Sequence, residues 1–275
     1  MAYIKKSFTL SLILISILLF SACEENSLSN SDSHFDATYV VENDSRLKLL
    51  LPIELDSVFA VQHAGLKLPN TTNYPSGKSD SRFFNSAVFS DGDKAIQMEN
   101  VTCENTPISV ENDVLPLKYF DYWPLNTGPI AGDTINWTFN YNSTTINTNC
   151  PLPNDFGEIS ISSGENPMDK DLGGILNWGN TGDENVVITF TYFTFDSLSE
   201  NVIDSKILAT DTTVNSGSYA ITPSLFAEWE LPADATHLNV HFLKGNHRIN
   251  TYDKGNRKVL TLSTIETNYM FDLKK

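Results

Sequence analysis

The sequence predicts an all-β protein, and three observations predict it. Beyond residue 36 no stretch places apolar residues at the i, i+3, i+4, i+7 spacing of an amphipathic helix. Instead, short segments alternate apolar and polar residues, or run in β-branched and aromatic residues, roughly every 8–15 positions. Asn, Gly, Pro and Asp fill the gaps between them, which is the chemistry of turns. The chain has 275 residues, 40% of them hydrophobic, enough to bury a sizeable core.

The elements follow in order along the chain. Lys5 and Lys6 precede an apolar run from Ser7 to Phe20, rich in Leu and Ile. Its length suits the core of a signal peptide and is too short for a good bilayer span. No second long apolar run follows, since Leu49-Leu50-Leu51-Pro52-Ile53 is short and broken by proline. Glu24 to Asp36 is polar, rich in Ser and Asn and without hydrophobic period, so it reads as a flexible tether. Thr134 to Tyr141, Glu158 to Ser162 and His237 to Leu243 alternate as half-buried strands do. Asn185 to Phe195 is one long β-branched and aromatic run, Lys258 to Thr264 reads as the penultimate strand, and Asn268 to Leu273 as the last. Leu225 to Trp229, after Thr222-Pro223-Ser224, is a single helical turn in a loop.

Cys150-Pro151-Leu152-Pro153-Asn154-Asp155-Phe156-Gly157 reads as a boundary, with two prolines, Asn-Asp and glycine between two strand-rich halves. The expected fold is therefore two tandem antiparallel β-sandwiches of Ig-like kind, 37–150 and 155–275, after a leader and tether. Gly132-Asp133-Thr134-Ile135-Asn136-Trp137 resembles Gly173-Gly174-Ile175-Leu176-Asn177-Trp178. Each half thus has a strand that brings a tryptophan inward, as sandwich cores do.

Phe20-Ser21-Ala22-Cys23 resembles the lipobox of bacterial lipoproteins, with Phe20 in place of the usual Leu. The resemblance implies a lipoprotein signal peptide over 1–22, an acylated Cys23 carrying palmitate, and a lipidated tether over 23–36 that holds the chain on a membrane. Glu24 and Glu25 look like the export signal of surface lipoproteins of the Bacteroidota. Gly174 to Trp178, the run at 186–195, Ser216 to Ile221, Leu231-Pro232 and 238–243 with Lys244-Gly245-Asn246 are similar to the C-terminal β-sandwich of such proteins. Ala87-Val88-Phe89, Tyr122-Trp123 and Ile135-Asn136-Trp137 are similar to their N-terminal module. The resemblance implies an outer-membrane, surface-exposed protein of the cell envelope, and it carries no catalytic residue.

The net charge is −16, and −18 from Cys23 onward. That excludes nucleic acid and bare anionic surfaces as partners through repulsion. Lys244, His247, Arg248, Lys254, Arg257 and Lys258 make one weakly basic patch late in the chain. With Cys23 lipidated, Cys103 and Cys150 remain as a pair in an exported, oxidising compartment and are expected to bridge. In the chain-entropy model such a bridge contributes about 4 kcal/mol.

No Gly-x-Ser-x-Gly, His-Glu-x-x-His, P-loop or Gly-x-Gly-x-x-Gly is present. The expectation is a protein that is not an enzyme, without cofactor or metal. His237 and His241 share one face of a strand about 13 Å apart, too far to share an ion, and read as a polar solvent face. Asp91-Gly92-Asp93 and Asp169-Lys170-Asp171 pair carboxylates without an EF-hand spacing. Tyr119, Asp121, Tyr122 and Trp123 are the candidate ligand platform, since exposed Tyr and Trp beside Asp suit stacking on sugar rings. The competing reading is a buried seam between sandwiches. The expected function is a lipid-anchored cell-envelope protein with a non-enzymatic binding or structural and assembly role, its partner a glycan or an envelope protein. The alternative is a glycan-binding lipoprotein serving nutrient uptake. A further alternative is a hydrolase with two facing carboxylates.

Overall fold

A computed structural model describes residues 44–51, 58–68, 82–91, 94–111, 118–124, 128–162, 167–195, 202–252 and 257–274, with backbone alone at 111 and 118–124. In chain order the elements are α1 (Ser45–Leu50), β1 (Val58–Lys67), β2 (Arg82–Asp91), β3 (Lys94–Ala95), β4 (Glu99–Cys103), β5 (Thr106–Pro107), β6 (Val110–Glu111), β7 (Lys118–Pro124) and β8 (Thr134–Tyr141). They continue with β9 (Thr144–Pro151), β10 (Ile159–Ser162), β11 (Gly174–Trp178), β12 (Asn185–Phe195), β13 (Val202–Val214), β14 (Ser218–Ile221), α2 (Pro223–Glu228), β15 (His237–Tyr252) and β16 (Arg257–Asp272). The all-β class is what the sequence predicts.

The strands form three sheets. A nine-stranded sheet runs β13-β12-β15-β16-β1-β2-β7-β6, with β3 beside β2. A four-stranded sheet runs β5-β4-β8-β9 and a three-stranded one β10-β11-β14. All pairings in the large sheet are antiparallel except that β1 runs parallel to β16, from Val58↔Lys258 to Lys67↔Glu266. Alternation gives each strand of this sheet two faces. Ala60, Leu66, Phe83, Phe89, Ile188, Phe190, Val240, Phe242 and Ile265 share one core with Ile135, Trp137 and Phe139 of β8 and with Leu176 and Trp178 of β11. Both small sheets therefore lie on the same face of the large one. Phe89 meets Phe139 at 4.9 Å, and Trp178 meets Phe242 at 5.5 Å.

A polar seam crosses this interior where β9, the outer strand of the four-stranded sheet, lies over the large sheet. Carbonyls of β9 that face the large sheet need donors, and side chains of that sheet supply them. Tyr252 donates to the Asn147 carbonyl at 3.0 Å, Ser263 to that of Cys150 at 3.1 Å and Asn246 to that of Pro151 at 3.0 Å. The Gln62 side-chain oxygen accepts from Thr148 at 2.5 Å and from Thr261 at 3.2 Å.

The strands do not divide at 150–155. The large sheet takes β1, β2 and β7 from one half of the chain and β12, β13, β15 and β16 from the other, and residues 35–275 form one compact unit. The stretch read as a linker is packed, with Leu152 and Phe156 buried in the common core. The proline and Asn-Asp signals mark the end of β9 and an irregular connector, which these two apolar side chains anchor.

The two tryptophan segments do share a local geometry. Gly132 and Gly173 precede them with φ of +87° and +69°. Asn136 and Asn177 each donate to the carbonyl two residues back, at 3.2 and 3.1 Å. Trp137 and Trp178 are both buried.

The opposite face of the large sheet carries a second apolar cluster, including Val61, Val88, Val187, Leu243, Leu260 and Leu262, capped by Leu47, Leu50 and Leu51. These last three come from α1 and its C-cap. Asp44 starts α1 as its N-cap, accepting from the amides of Arg46 and Leu47.

Candidate functional site

Cys23, the leader and the tether lie outside the described residues, as do Asp93 and the side chains of Tyr119, Asp121, Tyr122 and Trp123. Backbone register sets positions 119, 121, 122 and 123 of β7 opposite Ala87, Asn85, Phe84 and Phe83 of β2. Asn85 is fully buried, and neither polar atom of its side chain has a hydrogen-bond partner among the described residues.

The expected Cys103–Cys150 bridge is not made, although both residues are buried. Cys103 is opposite Trp137 across β4 and β8, while Cys150 is opposite Ile135 across β8 and β9. Strand β8 therefore runs between them. Two strand spacings and a two-residue offset put their Cα atoms about 12 Å apart, beyond the roughly 7 Å a disulfide spans. Sequence separation could not reveal the intervening strand.

Of the late basic residues, Lys254 lies outside the described residues, and Lys244 is withdrawn from the surface. Lys244 is fully buried, and its ammonium donates to the carbonyls of Asp155 at 3.1 Å and Asn180 at 3.4 Å and lies 3.4 Å from Glu184. Arg257 lies over the rings of Phe59 and Tyr141, 4.6 Å from each, with Asp91 at 3.3 Å. The Asp169 carboxylate accepts from the Asp171 amide and pairs with Lys274, both at 2.9 Å. Among the described residues no three His, Cys, Asp or Glu side chains lie close enough to hold a metal ion.

An open cleft of about 420 Å³ lies where the middle of β15 meets the turn into β12. Gly245, Asn246, His247 and Arg248 line it from β15, Asp183, Glu184 and Asn185 from the turn, Pro151 from β9 and Leu50 from α1. At Gly245 a Cβ would come within 3.1 Å of Leu50 and 3.0 Å of Thr264, so a side chain there would press on both. Each wall is fixed from behind. Arg248 donates to Asn149, and Asn215 donates to Glu184 at 2.7 Å and to the Asn180 carbonyl at 3.1 Å. Burial pushes Glu184 up, but hydrogen bonds from a backbone amide, Asn215 and Lys244 bring its net shift downward, so it is a carboxylate at neutral pH. Burial holds His247 below the ordinary imidazole range. The lining thus offers carboxylate acceptors on one wall and amide and guanidinium donors on the other. Among the described residues its lining contains no serine, cysteine or lysine.

A second constellation sits under the start of α1. Asp44 holds Arg46 through two contacts, Nε at 3.1 Å and Nη2 at 2.9 Å. Arg46 Nη1 reaches His241 Nδ1 at 3.3 Å, and His241 Nε2 lies 2.9 Å from Glu266 Oε2. Lys67 stands 3.8 Å from the other Glu266 oxygen. Burial pushes Glu266 up, but the His241 hydrogen bond and the charges of His241, Lys67 and Arg46 outweigh it and hold the carboxyl down at about 2. His237, on the same face, pairs with Asp272 at 2.9 Å. The histidine face expected to meet solvent is half-buried and paired instead.

No family model and no curated protein matches the chain. Among solved structures it is similar to the yeast delta-COP-I mu-homology domain, with TM-score 0.27 and 8% identity over 79% of this chain and 99% of that one. A likeness that distant carries no argument about function.

Proposed function

We propose that this chain is a lipid-anchored cell-envelope protein, not an enzyme, whose all-β body binds a polar, uncharged or zwitterionic ligand in the cleft between Gly245–Arg248 and Asp183–Asn185. The observation that carries this reading is the lining itself. Donors and acceptors face one cleft from opposite walls, Glu184 braced by the buried Asn215 and Arg248 by Asn149, the arrangement that orients a hydroxyl-rich ligand. The anchor rests on Cys23 and the apolar run before it, and outer-membrane, surface placement rests on the resemblance of Glu24-Glu25. The net charge of −16 directs the protein away from anionic polymers.

The test is affinity electrophoresis of the full chain in detergent through a panel of neutral polysaccharides. The wild type should be retarded by at least one polymer, and Asp183→Ala and Arg248→Ala should each lose that retardation. No retardation on any polymer would favour the assembly role, with an envelope protein as partner. Retardation that persists in both variants would move the ligand elsewhere, with Trp123→Ala then testing the 119–123 segment. Separately, Cys23→Ser should shift the chain from the membrane fraction to the soluble one and abolish palmitate labelling.

A further inference from the structure

The large sheet ends at β13, and the described residues set no strand beyond it. β13 pairs with β12 on one side, so the backbone groups of its other side face outward. One amide of the strand, that of Thr212, is met at 2.7 Å by the side chain of its own neighbour Asp211. Most residues of β13 are exposed, on both faces. Of the nine exposed large apolar side chains among the described residues, four stand on this strand: Val202, Ile203 at 64%, Ile207 at 62% and Val214 at 58% exposure. A long apolar edge of this kind is a template for another strand.

A bulge decides which strand fits. Phe190 is opposite Ala209 and Thr191 opposite Ile207, which leaves Leu208 as an extra residue. Opposed residues share a face. Lys206, Ala209, Asp211 and Thr213 therefore share the inner face of Tyr192, Phe190, Ile188 and Val186, and Leu208 also packs against that core. Ser205, Ile207, Thr210 and Thr212 lie on the outer face, opposite Phe193, Thr191, Thr189 and Val187. The alternation is thus out of phase across 208–209. A regular strand has to skip a residue there, as β12 does. A second β13 carries the same break, and laid antiparallel with Leu208 opposite Ala209 it matches faces on both sides of it. From this geometry we infer that β13 is a self-complementary edge, through which two copies of the chain pair antiparallel over residues 203–214 about a two-fold axis at 208–209.

Charge selects the same register. Lys206 of each copy falls opposite Asp211 of the other, so two pairs of opposite sign form across the axis. Ile207 falls opposite Thr210, Ser205 opposite Thr212, and Ile203 beside Val214. Two residues to one side, Asp204 would face Asp211 twice, and like charges directly opposed repel. Two residues to the other, Lys206 would face Thr213 and neither ion pair would form. The acids are already placed on this face, since Asp204 accepts from the Tyr192 hydroxyl at 2.5 Å and Asp211 from that of Tyr219 at 2.8 Å, and a carboxylate has room for a further donor. The two-fold axis stands perpendicular to the sheet, so it keeps the outer faces of both copies, each with its α1, on one side. That suits two copies anchored in one membrane, although the pairing itself does not depend on the anchor or on the cleft. One strand a side is a small interface, so the complex is weak and exchanging, and its test must accumulate it.

Disulfide trapping does so. Full chain carrying Ser205→Cys is mixed in detergent with full chain carrying Thr212→Cys, oxidised, and mapped by peptide mass. Opposed residues lie about 4.5–5.5 Å apart, within reach of a disulfide. In either variant alone the new thiols stand about 24 Å apart along the strand. The mixed 205–212 link should therefore exceed either like-with-like link by about tenfold. Lys206→Glu in both copies should cut the mixed link by about fivefold, because both ion pairs become repulsive. With Lys206→Glu in one copy and Asp211→Lys in the other, both pairs are again of opposite sign and the yield should return. No 205–212 link, like-with-like links of equal yield, or a mixed link indifferent to Lys206→Glu would each overturn the inference.

Discussion

Lys244 shows how much one side chain can organise. It is fully buried, yet its ammonium joins the connector at Asp155, the turn at Asn180 and the carboxylate of Glu184, with the Phe156 ring 4.7 Å away. Burial pushes its amine down, while Glu184 and Asp155 oppose that shift. Removing one member of a buried charged pair leaves the other without its partner, at about 3–5 kcal/mol where both are buried. Glu184 is partly exposed, so Lys244→Met should cost less, about 2–3 kcal/mol. The urea midpoint should fall with an unchanged slope, and a change within about 0.5 kcal/mol would mean the amine adds only bulk. This residue was legible in part. Leu238, Val240 and Phe242 set an inward phase on which position 244 also falls, but its charge suggested a surface patch. Gly65 was not legible at all. A Cβ there would lie 2.1 Å from the Phe84 ring, and nothing in the sequence announces that Phe84 is its cross-strand neighbour.

At the scale of elements, the strands with clean alternation lie where the sequence places them, β8 at Thr134–Tyr141 and β12 at Asn185–Phe195. The helical turn at 225–229 is α2. The last two expected strands are one, β16, because Ile265-Glu266-Thr267 contains no turn former and β15 pairs with it along its whole length. β15 likewise continues through Gly245 to Tyr252. α1 escaped because six residues are too few to show a period. Its signals were present in Asp44 as cap, Leu47, Leu50 and Leu51 as one apolar stripe, and Pro52 as stop. Pairing between elements is what local pattern cannot give, and the cysteines measure it. With β8 between them, titration of the unfolded, unreduced chain should find reactive thiols at both Cys103 and Cys150, and peptide mapping should find no Cys103–Cys150 link. A recovered bridge would contradict the β4-β8-β9 order.

Across the whole molecule, the titrating groups give stability a definite dependence on pH. Burial holds His237 and His247 below the ordinary value of 6.5, with Asp272 opposing at His237. The unfolded chain therefore binds these protons more readily, and stability rises with pH wherever that is so. Their contribution is complete above the unfolded value of 6.5 and is lost as pH falls through the lower folded values. Glu266, Asp44 and Glu184 have the same sign at lower pH. Burial raises each, but partners outweigh it: chiefly His241 for Glu266, Arg46 for Asp44, and a backbone amide and Asn215 for Glu184. Their contribution is complete above the ordinary carboxylate values and, for Glu266, is lost only as pH approaches about 2. In alkali the sign reverses for the phenols. Burial raises Tyr219, Tyr252 and Tyr269, with Asp211 adding to it at Tyr219, so their contribution is present below the ordinary value of 10 and is lost above it. The lowered Lys244 opposes that loss. Urea midpoints should thus be highest between about pH 7 and 9, fall in a shallow step through about pH 6, and fall steeply below about pH 4. A His237→Gln, His247→Gln double variant should shrink the shallow step and leave the steep one, because the carboxylates are untouched. If the shallow step keeps its full size, these two imidazoles are not what the folded state holds neutral, and the acid sensitivity near pH 6 has another source.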